Sequence, residues 1–298
     1  MLALLRFRGE LSRKVRQERM TMDGILQGIR SAVAEAREKV PLVPSVTNTV
    51  TINFVANAQL AVGGSAAMVY LPDEGRSMAE VGAAMYINMG TILPIYEETL
   101  PETARVLHEQ GKPWVLDPVG IGIGSLRERI LCSFMQYKPA IIRCNASEAI
   151  ALANLWRLES GREKDGVRGV DATDSVLEAR RAAVALARWT GGAVAVSGER
   201  DLITDGRTTA FSTGGSALMP KITGTGCSLG GVAAVYAAVA SPFLAAMTAS
   251  AIYNLAGQRA EEKAKGPGSF QVQFLDELYL ATPEDVAGNP LELEEEIG

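Results

Sequence analysis

The strongest constraint on this chain is a repeated alternation. Short apolar runs at residues 42–46, 67–70, 85–89, 114–117, 140–144 and 193–197 are separated by longer helical patterns at 50–62, 78–84, 101–110, 126–137, 147–155 and 174–189. Parallel neighbours in a sheet cannot be joined by a tight hairpin. They need a long crossover, usually a helix. Strand, helix, strand spacing therefore predicts an α/β fold: a central, mostly parallel sheet with helices on both faces. Two further strands, at 202–205 and 208–212, are joined by Asp205-Gly206-Arg207 and predict an antiparallel hairpin at a sheet edge. Beyond them the pattern is helical to the end.

Several classes of protein are excluded early. From 222 to 258 there is no charged residue, a length that can span a bilayer. This stretch is built more from Ala, Gly, Ser and Thr than from Leu or Ile, and Pro242 divides it. It predicts two buried helices meeting at Ser241-Pro242, with no membrane association. The net charge of −5 gives no basic footprint for nucleic acid. His108 is the sole histidine, expected at a solvated helix end, and the three cysteines form no CxxC pair. A zinc site and a disulfide framework are both excluded, and a reducing cytoplasm is the expected setting.

The first twenty residues carry six basic side chains against two glutamates and too short an apolar start for a secretory signal. We read residues 1–38 as a basic, helical extension whose first twenty residues are solvated, 39–285 as one domain and 286–298 as an acidic tail. Residues 159–174 are expected to be a surface loop inside that domain. The tail's four glutamates are expected to leave it frayed.

The chemistry gathers at strand ends. Asp117 closes an apolar strand and is followed by Pro118-Val119-Gly120. In α/β sheets that carboxyl edge is where ligands bind. Arg143-Cys144-Asn145-Ala146-Ser147-Glu148 repeats the arrangement, with Glu148 in the first turn of the next helix, and Ser197-Gly198-Glu199 repeats it again. Thr223-Gly224-Thr225-Gly226-Cys227 precedes a long helix. Backbone N–H groups and the helix dipole there favour an anion, and glycine lets it approach closely. Each element also has an ordinary reading: an Asx turn, a capping residue, a tight turn. Four of them on one face of one sheet are harder to explain by capping alone.

Taken in order with Val46-Thr47-Asn48, Gly64-Ser65-Ala66-Ala67-Met68 and Gly266-Pro267-Gly268-Ser269-Phe270, these motifs resemble the hydroxyethylthiazole kinase family. The resemblance runs from about residue 41 to 280. It implies a ribokinase-like three-layer fold, ATP as co-substrate with Mg²⁺, a small-molecule alcohol of thiamin salvage as acceptor, and a homotrimer. By the same resemblance, Arg143, Ser197 and Thr225 contact ATP, Met68, Gly224 and Asn48 contact the thiazole, and Asp117 and Glu148 organise the metal. Gly224, Gly226 and Cys227 form the catalytic segment, with Cys227 standing where related kinases carry an aspartate base. A helix N-terminus lowers a thiol's pKa, which predicts a thiolate at Cys227. Cys132 and Cys144 are read as core thiols. The family's histidines are replaced here by Pro44, read as lying near the thiazole pocket, and by Ser216. Another acceptor, such as a pyrimidine methanol, and a binding protein without turnover are the rival readings.

Overall fold

The computed structural model describes residues 21–161 and 175–296. The basic stretch 1–20 and most of the 159–174 loop lie outside the described residues. Nine strands form one sheet: β1 (Leu42–Val46), β2 (Ser65–Met68), β3 (Met85–Asn88), β4 (Trp114–Asp117), β5 (Ile141–Asn145), β6 (Ala193–Ser197), β7 (Arg200–Thr204), β8 (Thr208–Thr213) and β9 (Leu291–Glu295), in the order β2-β1-β3-β4-β5-β6-β7-β8-β9. The first six in that order run parallel, and β7, β8 and β9 add antiparallel. The chain steps from β1 outward to β2 and returns to β3 on the other side. The crevice between the carboxyl ends of β1 and β3 is thus a switch point of the topology, where open α/β sheets take ligands.

Side chains alternate between two cores, because successive strand residues point to opposite faces. Val43, Tyr86, Val115, Ile141 and Ala195 face one core, and Val46, Ile87, Leu116, Ile142 and Val196 face the other. This makes the three layers and explains why the strands read as continuous apolar runs. The uncharged stretch forms two helices, Thr225–Ala237 and Pro242–Lys263, with Ser241 at the N-cap position of the second and Pro242 in its first turn. Both are largely buried against the sheet, and no helix among the described residues is long and apolar enough to cross a membrane.

Three expectations need correction. The helix Met22–Lys39 falls within the stretch read as an extension ahead of the domain, but Ile25, Ile29, Ala32, Val33 and Ala36 recur at helical spacing and are buried in the first core. It packs on the helices Pro242–Lys263 and Pro283–Ala287. The acidic tail is not frayed: β9 pairs with β8, so the hairpin is covered and is not the sheet edge. Its glutamates meet cations, Glu292 with Arg200 at 2.5 Å and Glu294 and Glu296 with Arg180 at 2.6 and 2.9 Å. Such exposed pairs add little each; the strand pairing holds the segment. The second strand is also shifted from its expected place, to Ser65–Met68: its pairing with β1 starts at Ser65 opposite Leu42, and it stops short of the helix that begins at Pro72.

Candidate active site

The carboxyl ends of β1, β3, β4, β5 and β6 open onto one cleft of about 1110 Å³, roofed by the start of the helix Thr225–Ala237. Gly224 caps that helix with φ +92°. A Cβ there would lie 2.7 Å from Thr51 Cγ2, so the turn and its close approach both require glycine. Gly226 is helical, but a Cβ on it would stand 2.7 Å from both terminal nitrogens of Arg143. The guanidinium therefore lies directly against the helix start.

From there a hydrogen-bonded chain crosses the sheet edge. Arg143 donates to Ser197 Oγ at 3.0 Å and to Asp117 Oδ2 at 3.2 Å. Tyr86 donates its hydroxyl to the same Asp117 oxygen at 2.9 Å and accepts from the Asn88 amide at 2.8 Å. The Asn48 amide donates to Asn88 Oδ1 at 3.1 Å and to Cys227 Sγ at 3.4 Å. Of the predicted residues, Asn48, Cys227, Asp117, Arg143 and Ser197 are thus one connected set. Tyr86 and Asn88 were missed, although Asn88 is the polar end of an apolar strand, the same signal that singled out Asp117.

Glu148 has both of its readings at once. Its carboxylate accepts the Asn145 N–H at 2.9 Å while Asn145 Oδ1 accepts the Glu148 N–H at 2.9 Å, a capping box. The carboxylate also lines the cleft, 3% exposed. Burial, followed by the charge of Asp117, pushes its pKa up to about 7. Asp117 is fully buried and raised too, by burial that outweighs Arg143, and its Oδ1 has no hydrogen-bond partner.

Other residues depart from expectation. Thr225 lines the cleft, but its hydroxyl is already engaged: it donates to the carbonyls of Met219 and Ile222, 3.0 Å each, and fixes the loop. Met68 is half-buried on the edge strand β2 and is not among the residues lining this cleft. Pro44 is buried inside β1 and does not line it either, whereas Ser216 does. The thiolate expectation is reversed. Burial, aided by the Asp117 charge, pushes the Cys227 thiol up to about 11, outweighing the pull of Arg143. Cys132 is exposed, not in the core, because it falls on the outer side of its helix while Ile130 and Leu131 face inward. Cys144 is buried and His108 is exposed in the last turn of its helix, as expected.

A three-layer α/β fold with a mostly parallel sheet and a glycine-capped helix start over its carboxyl edge is a ribokinase-like scaffold. A ribokinase-like superfamily protein from Enterococcus faecalis V583 superimposes with a TM-score of 0.54 at 14% identity, covering 80% of this chain and 86% of that one, which shows the shared fold. The hydroxyethylthiazole kinase protein of Pyrococcus horikoshii OT3 superimposes with a TM-score of 0.79 at 32% identity, covering 91% of this chain and 100% of that one. The hydroxyethylthiazole kinase of Bifidobacterium animalis subsp. lactis is 50% identical over 281 residues, 91% of this chain and 93% of that protein. The model of the hydroxyethylthiazole kinase family matches residues 33–284. The chain belongs to the hydroxyethylthiazole kinase family.

Proposed function

We propose that this chain transfers the terminal phosphoryl group of ATP to the hydroxyl of 4-methyl-5-(2-hydroxyethyl)thiazole, in thiamin salvage in the cytoplasm. The observation that carries this reading is the continuous chain from Cys227 through Asp117 and Arg143 to Ser197. It runs along the one cleft from the helix start to the end of β6.

Phosphoryl transfer needs positioning and charge neutralisation more than covalent chemistry. The N–H groups at 224–227 and the Arg143 guanidinium present fixed positive charge to the transferring group. Ser197 and Asp117 hold that guanidinium in place from either side. Asn48 and Gly224 position the alcohol, and Cys227 stands nearest its hydroxyl. A neutral thiol there lines the hydroxyl's path and is not a ready base, so the proton leaves late, to phosphate or water.

The residues fit Mg²⁺. That ion takes one or two carboxylates and fills its shell with phosphate and water. Asp117 offers a buried carboxylate oxygen without a partner, Glu148 a second carboxylate, and no group of three or more ligating side chains exists among the described residues. When bound, the ion would neutralise phosphate charge and bring both carboxylates into their ionised form.

Purified protein given ATP and Mg²⁺ should phosphorylate the thiazole alcohol. Turnover of hydroxymethylpyrimidine without turnover of the thiazole would move the assignment to another alcohol kinase. Ligand-induced stabilisation with no turnover at all would favour the binding protein.

We also propose a homotrimer with active sites at subunit boundaries. Met68 supports it: it lies on β2, the edge strand of the sheet beyond β1, and outside the cleft of its own chain, on the side open to a neighbour. Light scattering should give three times the chain mass, and a monomer mass at micromolar concentration would remove both the trimer and the substrate role of Met68.

A further inference from the structure

The roles assigned above leave one buried carboxylate of the cleft unused. Asp201, the second residue of β7, lines the cleft and is 7% exposed. Its Oδ1 accepts the backbone N–H of Gly198 at 3.0 Å, and its Oδ2 accepts the side-chain amide of Asn254 at 3.2 Å. The same amide donates to Ser212 Oγ at 2.9 Å, and the Asn289 amide reaches that oxygen at 3.2 Å. The backbone carbonyl of Asn254 accepts the N–H of Gly215 at 2.9 Å.

Two cleft-lining loops are thereby tied to one buried pair. Gly198 follows Ser197, the residue that holds Arg143. Gly214 and Gly215 form the facing wall, and Gly214 packs so tightly on Asn254 that a Cβ would lie 2.9 Å from that residue's Cβ. Simple packing does not call for a carboxylate here, since burying one among amide donors is costly. What the carboxylate supplies is two acceptors in fixed directions, one for each loop.

We propose that Asp201 and Asn254 are positioning residues for the nucleotide side of the cleft. The pair sets the loop carrying Ser197 against the loop carrying Gly214 and Gly215, and so fixes the width of the groove that takes ATP. The inference rests on the ATP-side assignment above. It concerns hydrogen-bond polarity, not size, and this makes it separable from a packing role. Asp201→Asn sets two amide NH₂ groups face to face, and Asn254→Asp sets two buried carboxylates together. The double variant restores the match in reverse. The introduced amide accepts the Gly198 N–H with its oxygen and donates to the introduced carboxylate, and the same carboxylate oxygen, standing where the Asn254 amide nitrogen was, takes the Ser212 hydroxyl proton.

The test measures ATP affinity by calorimetry and steady-state kinetics on the full chain. Each single variant should weaken ATP binding and raise its KM by about tenfold or more, the scale of a lost hydrogen bond to a charged group. The alcohol KM should stay close to the parent's, and the double variant should recover most of the ATP affinity. Ser212→Ala is the milder variant if a single substitution fails to fold, and it should weaken ATP in the same selective way. Equal losses for ATP and alcohol, or a double variant no better than the worse single one, would overturn the pairing. Calorimetry reads ATP whatever the acceptor is, so failure of the thiazole assignment leaves this test intact. A parent protein that does not bind ATP would instead remove the nucleotide assignment itself.

Discussion

Glu148→Gln will give a folded protein that turns over about 10²–10³-fold more slowly, the range seen when one preorganised electrostatic partner of a transition state is lost. The thiazole KM will change little, because the carboxylate acts on the transferring phosphoryl group and not on the ring. Glutamine keeps the capping box, since its oxygen can still accept the Asn145 N–H. The variant therefore separates the two roles that coincide at this residue.

A stability change of opposite sign should accompany the loss. Burial holds the Glu148 pKa at about 7 against an ordinary 4.5. The folded metal-free protein thus prefers the protonated form. That stabilisation is complete below about pH 4.5 and disappears as the pH rises through about 7. At about pH 8 the parent carries an ionised, buried carboxylate that glutamine does not. Calorimetric melting of the metal-free proteins should then show Glu148→Gln unfolding at the higher temperature, with the gap closing toward acid pH. A variant with near-normal kcat at saturating Mg²⁺, or one less stable at every pH, would return Glu148 to capping alone.

Gly226→Ala should abolish most activity for a geometric reason. On an exposed helix a glycine-to-alanine change stabilises by about 1 kcal/mol. Here the new methyl would lie 2.7 Å from both Arg143 terminal nitrogens and 3.0 Å from Cζ. The guanidinium cannot simply swing aside, because Asp117 and Ser197 hold it at 3.2 and 3.0 Å. Either these bonds break or the helix start retreats from the cleft, and both displace the phosphate-binding groups. A misplacement of about 1 Å costs roughly 10²-fold in rate. Kinetics should show that loss together with weakened ATP binding. Parent-like values for both would mean that Arg143 does not work against this helix start.

The sequence alone was enough for the layers and for most of the site's inventory. Runs such as Trp114–Asp117 and Ala193–Ser197 are apolar up to their last residue because both faces of the sheet are covered, and each ends in a polar residue at the carboxyl edge on which the cleft opens. Asp117, Arg143, Glu148, Ser197 and the glycines at 224 and 226 could be found from that rule and from the motifs they form. Tertiary structure decided what those residues are to one another. β9 could not be read as a strand, because its glutamates look like a solvated tail until Arg180 and Arg200 are brought opposite them from elements far away in the chain. Tyr86, Asp201 and Asn254 belong to no local pattern; only the packed fold brings Tyr86 to Asp117 and Asn254 to Asp201. Cys227 shows the limit most sharply. Its place at a helix start argues for a low pKa, a local effect worth the field of one helix terminus. Burial beside a second negative group overrides it, and burial is a property of the packed whole that no stretch of sequence carries.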